Sequence, residues 1–140
     1  MESKNHFITV DDEESIRRIL KLIAKKVDPV CEVYDAKDGN EGYSTLEDLS
    51  KKDILGKIFM ITDHGMPDKM GLDMLREIRD MGLAKKFGDK LRTYMVFSEN
   101  RGYGEEIGRT AVEEGLVEGY FMKPADLSEI KSTLEKHFTS

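Results

Sequence analysis

The chain has 140 residues, 39% of them hydrophobic and 36% charged, and its formal net charge of −6 argues against nucleic acid as a direct partner. This length suits one domain with a single buried core; the sequence contains neither a run of roughly 20 apolar residues, as a membrane span requires, nor a secretory signal. The lone cysteine, Cys31, excludes an internal disulfide, so we expect a cytoplasmic protein whose thiol is buried in a strand.

Short apolar runs alternate with amphipathic stretches in the first half of the chain, which predicts alternating strands and helices. The first strand ends at Asp11 and Asp12, and Asp12 is placed to cap the helix that follows. The predicted elements are a strand over His6–Val10, a helix whose apolar stripe runs from Ile16 to Val27, a strand over Val30–Tyr34 and a helix over Glu41–Leu49.

The second half continues the alternation. Its predicted elements are a strand over Ile58–Thr62, a helix burying Leu72, Leu75 and Ile78, a basic and flexible connection over Met81–Lys90, a strand over Arg92–Phe97, a glycine-rich helix around Tyr103–Gly115, a strand over Glu118–Met122 and a helix starting at Asp126. Right-handed crossovers turn five strands and five helices into a doubly wound parallel sheet. In such sheets, ligands bind at the carboxyl ends of the strands.

Polar side chains follow four of these strands. They are Asp11 and Asp12, Asp63, Ser98 and Lys123. Three neighbouring carboxylates repel one another unless a cation neutralises them, and Mg²⁺ prefers oxygen ligands of this kind. One carboxylate can then act as a nucleophile toward phosphorus, while a lysine and a hydroxyl hold the phosphoryl oxygens. The sequence therefore predicts phosphoryl chemistry at this edge of the sheet.

These positions resemble the five-part signature of response-regulator receiver domains. The matching segments are Asp11-Asp12, Asp63-His64-Gly65-Met66-Pro67, Ser98 and Lys123-Pro124, in the family's order. The resemblance covers essentially all of residues 1–140, as one receiver domain. It implies a flavodoxin-like sheet with strand order 2-1-3-4-5. It also implies a signalling domain that is not an enzyme in its own right, since it catalyses only its own phosphorylation and dephosphorylation.

The resemblance assigns a role to each matching residue. Asp63 would be the phosphoacceptor, Mg²⁺ would be bound by Asp12, Asp63 and the Gly65 carbonyl with Asp11 acting through water, Ser98 and Lys123 would contact the phosphoryl group, and Ser98 and Tyr120 would form the switch. Gly65 and Asn100 fall at the positions that tune the phosphoryl lifetime in this family. Gly65 lacks the side chain often found there, and the acidic residue of the same loop is displaced to Asp68.

The implied partners are a sensor histidine kinase or phosphotransfer protein, and a downstream target or an output domain beyond this chain. Switching would alter the face formed by the fourth predicted helix, the fifth strand and the fifth helix, through which a homodimer is also plausible.

Two other functions compete with this one. A phosphatase or phosphotransferase of the haloacid dehalogenase type needs a second aspartate two residues after the nucleophile, where this chain has Gly65. A flavodoxin-like binding module needs a phosphate-cradling loop after the first strand, where this chain has two aspartates. We interpret His64 as an exposed loop residue. The helical glycines after Ser98 suggest a weak fourth helix that reorganises on phosphorylation.

Overall fold

The computed structural model describes residues 4–66, 68–97, 101–122 and 127–140, and for 101–103 the backbone alone. Strands and helices alternate along the chain. The strands are β1 (His6–Val10), β2 (Glu32–Ala36), β3 (Ile58–Asp63), β4 (Leu91–Phe97) and β5 (Gly119–Met122). The helices are α1 (Glu14–Val27), α2 (Gly39–Ser50), α3 (Gly71–Asp80), α4 (Leu83–Phe87), α5 (Arg101–Glu113) and α6 (Leu127–Phe138).

The five strands form one parallel sheet in the order β2-β1-β3-β4-β5. This confirms the predicted flavodoxin-like, doubly wound architecture. Every residue of β1 is buried, as are the first five residues of β3, because helices cover both faces of the sheet. Such strands appear in the sequence as continuous apolar runs, which is why their positions were predictable.

Alternate side chains of the strands form two cores, one on each face of the sheet. Phe7, Phe59 and Phe121 belong to the core beneath α1 and α6. Ile8 and Met60 belong to the larger core beneath α2 to α5. The period of two along each strand thus separates the apolar side chains into two layers. Among the described helices, none has the length and apolar character needed to cross a membrane.

Helix α4 was not predicted, so the chain has six helices where the sequence analysis predicted five. Met81–Lys90 is not a flexible connection, because α4 and a 3₁₀ turn over Gly88–Lys90 occupy most of it. Leu83 and Phe87, one helical turn apart, are both buried and anchor α4 to the core. Gly82 and Gly88 flank the helix with positive φ angles of 80° and 58°, which residues with a side chain rarely adopt.

Two predicted boundaries near the start of the chain also change. Strand β2 begins at Glu32 rather than Val30, because the Cys31 amide donates to Asp28 O and closes a turn that leaves Val30 exposed. Cys31 itself is buried, as predicted, although it lies just before the strand. Asp12 does not cap α1, whose N-cap residue is Glu13 without a side-chain capping bond.

Candidate functional site

The strand register brings three carboxylates together at the carboxyl end of the sheet. Val10 lies opposite Thr62 in the β1–β3 pair, so Asp11 and Asp63 leave adjacent strands at the same level. Asp11, Asp12 and Asp63 each offer a carboxylate oxygen, and these atoms all lie within 4.8 Å of one another. Asp11 is buried, Asp63 is half-buried and Asp12 is exposed. The cluster is therefore open to solvent on one side and walled by protein on the other.

The backbone around Asp11 is held by several hydrogen bonds. Its amide donates to Ala36 O at 3.0 Å, which extends the β1–β2 pairing by one residue. Its carboxylate Oδ1 accepts from the Glu13 amide at 2.9 Å. Its carbonyl accepts from Nη1 of Arg17 at 2.6 Å. The Asp11-Asp12 turn is consequently held by hydrogen bonds to β2 on one side and to the start of α1 on the other.

The loop after Asp63 folds back on the end of β3. The Gly71 amide donates to His64 O at 2.9 Å, and a β-carbon on Gly71 would lie only 2.1 Å from the Asp63 carbonyl oxygen. The Gly39 amide, at the start of α2, donates to Lys69 O at 3.0 Å. The loop thus joins β3, α2 and α3, and it requires glycine where α3 passes over Asp63.

His64 is buried, which contradicts its interpretation as an exposed loop residue. Its Nδ1 accepts from the Leu72 amide at 3.3 Å, so the ring caps the first turn of α3. Burial lowers the pKa of His64, with a smaller opposing effect from Asp73. A neutral ring with its proton on Nε2 satisfies both observations. Sequence patterns gave no signal for this role, because the contact depends on how the loop turns.

Gly65 borders open space. A β-carbon placed there would meet no atom within 4 Å, and the backbone does not have a positive φ. Glycine is therefore not required at this position by packing or by backbone conformation. The absence of a side chain leaves the approach beside Asp63 open, which is the property that matters for a position predicted to influence the phosphoryl lifetime.

Tyr120 is half-buried against α5. Its ring lies so close to the helix that a β-carbon on Gly108 would be 2.6 Å from two ring carbons. One turn earlier, a β-carbon on Gly104 would lie 2.9 Å from the Phe97 side chain. The two rings meet edge to face with centroids 5.9 Å apart. These glycines therefore let aromatic side chains of β4 and β5 pack directly against the backbone of α5.

The remaining predicted site residues lie outside the described part of the chain. They are Ser98 and Asn100, after β4, and Lys123 with Pro124, after β5. Their predicted roles stay predictions. The elements that precede them, β4 and β5, end at the same edge of the sheet as β1 and β3, since all five strands are parallel.

The carboxylate cluster has the donors that a hard divalent cation requires. All three side chains offer oxygen, and the exposed Asp12 gives an ion access to the buried Asp11. Mg²⁺ is commonly bound by one or two carboxylates and keeps several waters, which the open side of this cluster accommodates. The residues therefore fit a metal ion of this class.

The chain is similar in sequence to known signalling proteins. No family model matches the chain. The chemotaxis protein CheY-3 of Vibrio cholerae is 29% identical over 131 residues, covering 94% of this chain and 89% of that protein. The two-component response regulator ARR15 of Arabidopsis thaliana is 27% identical over 142 residues, covering 93% of this chain and 61% of that protein.

Solved structures show the same fold. A CheY-like receiver domain protein from Methanospirillum hungatei superposes with a TM-score of 0.70 at 21% identity, covering 96% of this chain and 94% of that one. The receiver domain of a DNA-binding response regulator from Colwellia psychrerythraea gives a TM-score of 0.77 at 13% identity, covering 98% and 100%. The chain is thus similar to response-regulator receiver domains in its sequence and in the strand order of its sheet, and its aspartate cluster is consistent with that similarity.

Proposed function

We propose that residues 1–140 act as one receiver domain, in which Asp63 accepts a phosphoryl group. The observation that carries this proposal is the position of the Asp63 carboxylate. It is half-buried at the end of the central strand β3, within 4.8 Å of oxygens from Asp11 and Asp12. A carboxylate there is accessible to a phosphodonor, while the surrounding backbone holds it in a fixed direction.

The main-chain amide of His64 helps to hold the Asp63 carboxylate in this direction. Asp63 Oδ1 accepts from the His64 amide at 2.8 Å, and in this proposal the second carboxylate oxygen is the nucleophile. In the proposed step, that oxygen forms a bond to phosphorus. The bond between phosphorus and the donor's histidine nitrogen breaks, and its electron pair stays on the imidazole, which takes up a proton. The product is an aspartyl phosphate, with no net oxidation or reduction.

We assign the cation to Mg²⁺, held by Asp12 and Asp63, by the Gly65 carbonyl and, through water, by Asp11. When bound, Mg²⁺ would neutralise the negative charges of the carboxylates and the phosphoryl group. The protein's own contribution is to hold three carboxylates close together, which costs electrostatic energy in the absence of the cation. Ser98 and Lys123 complete the proposed set of contacts to the phosphoryl oxygens.

The phosphodonor is proposed to be a histidine kinase or a phosphotransfer protein in the cytoplasm. Phosphorylation would draw Ser98 toward the phosphoryl group and Tyr120 inward, changing the face formed by α5, β5 and α6. That face would bind a downstream protein or output domain, or pair two copies of this chain. Beryllofluoride, which mimics an acyl phosphate, should therefore shift amide resonances on α5, β5 and α6 and leave those of α2 largely unchanged.

The acceptor is tested with acetyl phosphate, Mg²⁺ and intact-mass spectrometry. Wild type should gain one phosphoryl adduct that requires Mg²⁺ and is labile to base. Asp63→Asn should gain none, because an amide oxygen is a poor nucleophile. Asp68→Asn is the matched control, since Asp68 is an exposed carboxylate of the same loop, and it should be modified like wild type. A full adduct on Asp63→Asn would overturn the assignment.

A further inference from the structure

A buried arginine, Arg17, contacts the main chain of the aspartate cluster. The Arg17 side chain is only 10% exposed, although α1 is a surface helix and its neighbour Arg18 is 67% exposed. Burying a guanidinium is costly unless its donors are used. Here they are used on both sides: Nη1 donates to Asp11 O at 2.6 Å, and Nε donates to Asp35 Oδ2 at 3.2 Å.

These bonds close a circuit through the sheet edge. The Asp11 amide donates to Ala36 O, Ala36 is bonded covalently to Asp35, Asp35 accepts from Arg17, and Arg17 donates back to the Asp11 carbonyl. Lys21 adds a second cation to Asp35 at 3.0 Å. Burial raises the pKa of Asp35, but the hydrogen bonds from Lys21 and Arg17 outweigh that effect and lower it, so the anchor stays ionised.

We propose that Arg17 is a positioning residue for the metal site, fixing the Asp11-Asp12 turn in the orientation that Mg²⁺ requires. This inference rests on the metal site of the proposed function. Arg17 holds the main-chain carbonyl of Asp11, and Asp12 is the next residue, so this bond helps to set the direction of both carboxylates. Mg²⁺ demands near-ideal octahedral geometry, whereas Ca²⁺ accepts six to eight ligands in flexible arrangements. A loosened turn should therefore harm Mg²⁺ binding more than Ca²⁺ binding.

The sign of the effect separates positioning from simple electrostatics. Removing a positive charge beside a cation site would by itself strengthen binding of a divalent ion. Loss of the circuit predicts the opposite, because ligands that are no longer held in place must be ordered when the ion binds. Outer-shell partners of metal ligands typically contribute about 10- to 100-fold in affinity. Arg17→Met should weaken Mg²⁺ binding by about that factor.

The experiment is calorimetric titration of the whole chain with Mg²⁺ alone and with Ca²⁺ alone. Arg17→Met should raise the Mg²⁺ dissociation constant about tenfold or more and the Ca²⁺ constant much less. Arg17→Lys, which keeps the charge but loses the forked donors, should fall between Arg17→Met and wild type. Arg18→Met is the matched control, because Arg18 is exposed and forms its ion pair with the exposed Glu14, and this variant should bind both ions like wild type.

Asp35→Asn tests the other end of the circuit and should reproduce a smaller Mg²⁺-selective loss, even if Arg17→Met proves too unstable to fold. Unchanged or tighter Mg²⁺ binding in folded Arg17 variants would overturn the inference, as would equal losses for both ions, which indicate general loosening. Wild type that binds no Mg²⁺ would overturn the metal site as well. Phosphorylation of Asp63→Asn would overturn only the acceptor assignment.

Discussion

Replacing Gly71 with alanine should disturb both the stability and the chemistry of the site. The added β-carbon would lie 2.1 Å from the Asp63 carbonyl oxygen, and both atoms belong to rigid main chain. Relief requires α3 and the end of β3 to separate by roughly 1 Å. That movement lengthens the bond from the Gly71 amide to His64 O, now 2.9 Å, and shifts the Asp63 carbonyl that accepts from Thr62 Oγ1 at 2.8 Å.

The magnitude follows from these contacts. Overpacking against main chain costs about 3 kcal/mol, and the strained hydrogen bond adds about 1 kcal/mol. Alanine recovers at most about 1 kcal/mol through helix propensity. The free energy of unfolding should thus fall by about 3 kcal/mol. An unfolding entropy of about 2.1 cal/mol/K per residue makes this a drop of about 10 °C in Tm for a chain of this length.

The assay combines thermal unfolding with the rate of Mg²⁺-dependent phosphorylation by acetyl phosphate. A shift of about 1 Å in a reacting group can reduce a rate about 100-fold, so Gly71→Ala should be phosphorylated far more slowly. Gly65→Ala is the control from the same loop, because its β-carbon would meet nothing within 4 Å. Its Tm should equal that of wild type or exceed it by a few degrees, about 0.4–1 kcal/mol in stability. A Gly71→Ala protein with the Tm and phosphorylation rate of wild type would show that α3 does not pack this tightly on Asp63.

Three further outcomes are expected. Gly108→Ala should lower Tm and shift the ring resonances of Tyr120, since the new β-carbon would sit 2.6 Å from the ring; a rise in Tm would show that helix propensity outweighs this contact. His137 bonds two carbonyls through Nε2, and burial lowers its pKa, so the unfolded state binds a proton that the folded state rejects. The unfolding free energy should therefore be independent of His137 protonation above about pH 6.5 and should decrease as the pH falls below that value. In urea titrations His137→Gln should show a smaller decrease; an unchanged dependence of the unfolding free energy on pH would contradict the assignment. Mg²⁺ at ten times its dissociation constant should add about 1.4 kcal/mol of stability that chelation removes and Asp12→Asn abolishes; equal stabilisation of that variant would argue against Asp12 as a ligand.

The sheet and the aspartate cluster could be predicted from sequence because their signals are local. Buried parallel strands give continuous apolar runs, and polar residues directly after them must meet at one edge. Strand β1 over His6–Val10 was predicted to the residue, and Asp11, Asp12 and Asp63 do come together. The strand order itself came from the family resemblance rather than from periodicity.

What the sequence did not reveal depends on contacts made only in the folded chain. His64 and Arg17 are polar residues, and the sequence around them does not indicate that either is buried. His64 is buried by the closure of its loop, and Arg17 is buried beside the aspartate cluster, where it donates to Asp35. Helix α4 was hidden by its lysines, although Leu83 and Phe87 are spaced one turn apart. The weakness predicted for this helix from its glycines stays a prediction; the sequence did not reveal that Gly104 and Gly108 provide space for aromatic rings.

Helix α4 decides where this chain can be cut or extended for laboratory use. A lysine-rich connection between α3 and β4 looks like a natural insertion point for a fluorescent reporter. Yet separating Leu83 from Phe87 would expose two buried side chains, at about 1.5–3 kcal/mol each. The turn at Lys51–Asp53, whose three residues are all exposed, offers a safer place. A sensor grafted there should leave the domain folded while it reports on the aspartate cluster.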